Sequence, residues 1–81
     1  MKINEKIKLP LDYNIGINNL KTLSKDWKKN EIRLVNWTII NIYESNFYKD
    51  TMIELKFRNT IIVKRYSTIQ EISNFINEKF I

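Results

Sequence analysis

Lys21, Lys25, Lys28 and Lys29 recur at i, i+4, i+7 and i+8, the spacing that lines side chains along one edge of a helix. Four ammonium groups in a stripe roughly 100° wide could track phosphates, in a contact that weakens with salt and ignores base sequence. Lysine is a point charge rather than a bidentate fork, so this edge would position a nucleic acid without reading it. Lys64 and Arg65, with Lys56 and Arg58, would extend the basic surface. The ordinary alternative is a solvated flank whose lysine stems cover the margin of the core.

A second candidate lies in residues 43–51, YESNFYKDT, where Asn46 and Asp50 suit a turn but two aromatics stand between them. Phe47 shares the parity of Val35, Trp37, Ile39 and Tyr43, which predicts the inward end of a strand reaching position 47. On that reading Phe47→Ala costs about 3–5 kcal/mol. Tyr48 falls on the other parity beside Lys49, and these two, with Lys56 and Arg58, form the candidate contact set for a protein partner.

Chemistry that needs other residues is excluded. The chain has no cysteine and no histidine, which removes disulfides, thiolate nucleophiles, Cys/His zinc sites and the usual acid–base group at neutral pH. Nine carboxylates are scattered without a converging spacing, and Gly16 stands alone, so no phosphate-cradling loop exists. The expectation is a protein that is not an enzyme and takes no cofactor or metal.

The elements that must position these residues are short. At 81 residues the chain predicts one domain, residues 1–81, with 43% apolar and 28% charged content in the globular range. Net charge is +5 and the isoelectric point about 9.6. Ile, Asn and Lys, at 15, 11 and 11 residues, are the types that A/T-rich codons encode, so codon bias accounts for part of that charge. No apolar run approaches the ~18 residues of a membrane span, and no apolar stretch follows the charged start. A cytoplasmic protein that stays off the membrane is expected.

Alternation over residues 1–9 predicts a first strand, and Ile17, Leu20, Leu23 and Trp27 predict a helix over 17–30. Residues 32–47 are rich in β-branched and aromatic types, but their parity breaks, as a doubly covered strand or a bulge would make it. Residues 51–58 alternate cleanly. Asn59 suits the left-handed position of a short hairpin turn, and 60–66 return as the next strand. Thr68 and Glu71 match a capping box ahead of the stripe Ile69, Ile72, Phe75, Ile76 and Phe80. Trp27 and Trp37 both fall on core parities.

The order is β-α-β-β-β-α, an α+β domain whose antiparallel sheet carries both helices on one face. Three strands and a helix, preceded by a helix, superficially resemble the double-stranded-RNA-binding domains. That family carries a lysine cluster opening its last helix and a Gly-Pro-x-His loop. Here the helix opens STIQE and the loop reads ESNFYKD, so the family is not assigned. The leading expectation is a small protein-binding module, an inhibitor, adaptor or subunit of the kind mobile elements encode. A nucleic-acid-binding module is the alternative, and an exposed sheet edge would also allow a homodimer.

Overall fold

A computed structural model describes residues 1–26 and 32–79. The elements are β1 (Lys6–Pro10), α1 (Ile17–Leu23), a 3-10 turn (Ser24–Asp26), β2 (Leu34–Ser45), β3 (Asp50–Phe57), β4 (Thr60–Arg65) and α2 (Tyr66–Lys79). The four strands form one antiparallel sheet in the order β1-β2-β3-β4, each paired with its neighbour in sequence. The α+β class and the antiparallel sheet agree with the sequence reading, with the 3-10 turn as an added element.

Period-two alternation sends one set of side chains to the helix side. Ile7 lies across from Trp37, Ile39 from Leu55, and Ile42 from Ile53, with Ile62 beyond Leu55. Onto this face α2 lays Ile69, Ile72 and Ile76, and α1 adds Leu20, completing one buried cluster. Burying each such Ile or Leu contributes about 1.5–3 kcal/mol, which is how so short a chain holds together. Trp37 fills the centre, 1% exposed, with its Nε1 donating to the Pro10 carbonyl at 3.2 Å.

Strand β2 departs from the expected phase. Ile39 pairs with Leu55 and Asn41 with Glu54, the next residue back along β3, so Ile40 is the extra residue of a β-bulge. The bulge flips the parity beyond it. Ile42 turns to the core, whereas Tyr43 turns out and is 41% exposed. The strand stops at Ser45, and Phe47 is 85% exposed in the turn. The inward placements expected for Tyr43 and Phe47 are therefore wrong, because a parity count cannot be carried through an inserted residue.

Other boundaries shift for local reasons. The chain turns at Asn4 (φ 71°), so β1 begins only at Lys6, and Ile3 is exposed. Pro10 closes β1, an edge strand, where its missing N–H is tolerated. The helix predicted over 17–30 ends at Leu23; Trp27, Lys28 and Lys29 lie outside the described residues. The hairpin between β3 and β4 has a two-residue loop, and its left-handed residue is Arg58 (φ 54°) rather than Asn59. Helix α2 follows β4 directly from Tyr66, which places Thr68 inside the first turn instead of at the cap. Its apolar stripe is as expected through Ile76, and Phe80 is outside the described residues.

Candidate interaction surface

The side of the sheet away from the helices is uncovered by any element among the described residues. Strand register sets what stands there, in rows running across the strands. One row is Lys8 beside Asn36. The next is Lys6, Thr38, Lys56 and Ile61. Then come Asn41, Glu54 and Val63, next Tyr43, Met52 and Arg65, and finally Ser45 and Asp50. Cross-strand neighbours on one face stand close enough to interact, so each row is a physical contact line.

The Tyr43 row forms an aromatic corner. The Arg65 guanidinium lies 4.4 Å from the centre of the Tyr48 ring, and Phe47 meets Tyr48 edge-on at 4.9 Å. Met52 is buried although it stands outside the main core cluster. With Tyr48, Val63, Lys64, Arg65 and Thr68 it lines an open cleft of about 330 Å³ that reaches from the sheet to the start of α2. Ile61 and Val63, 55% and 44% exposed, continue the apolar surface along the edge strand. Lys6, Lys8, Lys56 and Arg65 stand on this face with two carboxylates among the described residues, Glu54 and Asp50, the latter accepting from the Ser67 hydroxyl at 2.9 Å.

The residues singled out from sequence are distributed as follows. Tyr48 and Lys49 occupy the turn before β3, and Lys56 and Arg58 the opposite end of that strand, about 23 Å away at ~3.3 Å per residue. Arg58 stands at the hairpin tip over the Phe57 ring. Lys64 and Arg65, adjacent in sequence, take opposite faces. Arg65 joins Tyr48, while Lys64 turns to the helix side, where its Nζ donates to the Tyr13 carbonyl at 2.8 Å. Lys21 and Lys25 are exposed on α1 and the 3-10 turn, whose Leu20 packs on the helix side; Lys28 and Lys29 are outside the described residues. Lys21 and Lys25 thus do not share a surface with the basic residues of the uncovered sheet face. Lys6, Lys8, Tyr43, Ile61 and Val63 were not singled out from sequence. Lys6 and Lys8 were legible in principle, since they alternate with Ile7 and Leu9; Tyr43 was hidden by the bulge.

The cavity beneath residues 11–16, bounded by Tyr13, Trp37, Lys64 and Ile69, holds about 20 Å³, room for about one water. No group of three potential metal ligands occurs among the described residues, and no helix among them is long and apolar enough to cross a membrane. No known protein family matches the chain, and neither does any curated protein or solved structure. The class of the molecule therefore rests on its geometry, a four-stranded antiparallel meander with two helices on one side and an open face on the other.

The corner separates two aromatics by what each touches. Phe47→Ala is expected to change stability by less than about 0.5 kcal/mol, as at exposed positions generally. Tyr48→Ala should cost about 0.5–1 kcal/mol through the lost contact with Arg65. Urea unfolding followed by circular dichroism measures both. A loss above about 1.5 kcal/mol for Phe47→Ala would show that the turn packs inward after all.

Proposed function

We propose that the protein is a non-enzymatic binding module that docks on a larger protein through the uncovered sheet face, as an inhibitor, adaptor or subunit in the cytoplasm. The observation that carries this reading is the corner of Tyr43, Tyr48, Met52 and Arg65, with Phe47 at its rim. Tyrosine and arginine are the types that dominate binding energy at interface centres, where rigid rings bury much area at little entropic cost. Lys6, Lys8 and Lys56 toward the other end of the same face favour a partner with a complementary acidic stretch, since charge complementarity steers encounter and excludes like-charged surfaces.

One observation favours a nucleic acid as the second reading. Four cations share the face with two carboxylates among the described residues, and Tyr43 and Tyr48 offer rings on which bases stack. The two readings separate in a pull-down of the tagged chain against its Tyr43→Ala/Tyr48→Ala variant, each with and without nuclease. A protein partner is retained after nuclease and loses at least about tenfold in affinity with the double variant. Loss of all binding on nuclease treatment would transfer the function to the nucleic-acid reading. Retention by both the wild type and the double variant would remove the sheet face from either.

A further inference from the structure

The two outer strands of the sheet are not equivalent. β1 is short, ends in Pro10 and carries Lys6 and Lys8, all devices that discourage a further strand from adding. β4 has no proline, and its lysine does not guard the edge, because the Lys64 ammonium turns to the helix side and donates to the Tyr13 carbonyl. Its exposed positions are the β-branched Thr60, Ile61 and Val63, with one cation, Arg65, at the end beside α2.

The hairpin register fixes which backbone groups of β4 face outward. Phe57 pairs with Thr60 across the two-residue loop, so that pair, Leu55–Ile62 and Ile53–Lys64 exchange the ladder hydrogen bonds. The N–H and C=O of Ile61 and Val63 and the N–H of Arg65 point away from β3, while the Arg65 carbonyl belongs to the first turn of α2. These three positions are symmetric about Val63. An antiparallel copy of β4 related by a two-fold axis at Val63 would therefore set every outward-bonding residue against another. Val63 meets Val63 of the second copy with two hydrogen bonds, and Ile61 meets Arg65 of the second copy, twice over, with one bond each from the Arg65 N–H, because the Arg65 carbonyl caps the first turn of α2.

Charge is compatible with this register. Arg65 stands opposite an isoleucine rather than another cation. On the helix side Lys64 stands opposite Ile62 of the second copy, again with no like charge directly across. A nucleic acid has no alternating amide and carbonyl ladder to offer this edge.

We infer that β4 is a self-association edge, through which two copies join into one continuous eight-stranded sheet. The joined edges align the Ile61 and Val63 side chains of both copies on the uncovered side. An edge of six residues falls short of the roughly 1,200 Å² of a standard stable interface, so the dimer is reversible and depends on concentration. This inference does not rest on the docking surface proposed above, and either can fail alone.

The absence of cysteine makes the test direct, since one introduced thiol reports one contact. The purified chain is expected to double in mass by light scattering as its concentration rises toward about 1 mM, a range that covers weak affinities. Val63→Cys should cross-link to a dimer under mild oxidant, because facing residues in such a pair lie within disulfide reach. Lys8→Cys on the β1 edge should not. Val63→Pro removes an outward N–H and leaves the β3 ladder intact, so it should remain folded by circular dichroism and monomeric. In the wild type the amides of Val63 and Arg65 should gain exchange protection with concentration, while those of Ile62 and Lys64 are protected throughout. A chain that stays monomeric up to that concentration, with no Val63→Cys cross-link, overturns the inference. So does a dimer in which the amides of Val63 and Arg65 gain no protection.

Discussion

Trp37→Ala is expected to bring the protein to the margin of unfolding. The side chain is 1% exposed, its ring contacts Tyr13 edge-on at 6.4 Å and Phe57 at 5.7 Å, and Nε1 holds the Pro10 carbonyl. Truncating a buried tryptophan costs about 3–5 kcal/mol, because contacts are lost and the cavity does not fully collapse. A domain of this size has about 4–12 kcal/mol in total, at 0.05–0.15 kcal/mol per residue. The melting temperature should fall by at least about 12 °C, at 4–8 °C per kcal/mol. Trp37→Phe keeps an aromatic ring but frees the buried Pro10 carbonyl, and should cost about 1–3 kcal/mol. A loss below about 1.5 kcal/mol for Trp37→Ala would mean that the core does not depend on this side chain.

The second large effect concerns chain length. Deleting Ile40 removes the residue that has no partner on β3, leaving Ile39 beside Asn41 with their present partners Leu55 and Glu54. Every later side chain keeps its face, so the fold should survive with a loss of about 1–2 kcal/mol, in the range of ordinary single changes. Deleting Glu54 from β3 is the opposite case. Ile53 and Leu55, both fully buried, would become neighbours in sequence, and a strand cannot point two neighbours to the same side without a bulge. Expelling either from the core costs about 2–5 kcal/mol, before the ladder to β2 and β4 is disturbed. The Glu54 deletion should therefore be unfolded at 25 °C by circular dichroism and amide dispersion. Equal tolerance of the two deletions would contradict the register.

The same bulge decides how much of the molecule was legible in its residues. Where period two runs unbroken, as in Thr51, Ile53, Leu55 and Phe57, both the element and its buried side follow from side-chain type, and so does the inward Trp37. The α2 stripe was equally plain, although Thr68 misplaced its start: a cap signal says that a helix can begin there, whereas the preceding strand decides whether it already has. Tyr43 and Phe47 were misread because one unpaired residue, Ile40, reverses the count, and nothing in its type announces it. The site was less legible than the fold. Grouping Lys64 with Arg65 ignored that neighbours on a strand diverge. The rows that join Lys6 to Lys56 and Tyr43 to Arg65 come from strand pairing, which residue types do not specify.

Beyond its faces, the sheet has corners. Left-handed backbone occurs at Lys49 and Arg58, one at each end of β3, while Gly16 sits in extended backbone with open space where a Cβ would stand. The one glycine is thus spent where no such angle is required, and two long cationic side chains hold bends that cost about 1–2 kcal/mol each. The bends are imposed by the strands they join rather than encoded by the residues that make them. Substitution at these two corners is accordingly free to follow selection on surface charge, and the hairpin outlines would persist through such drift.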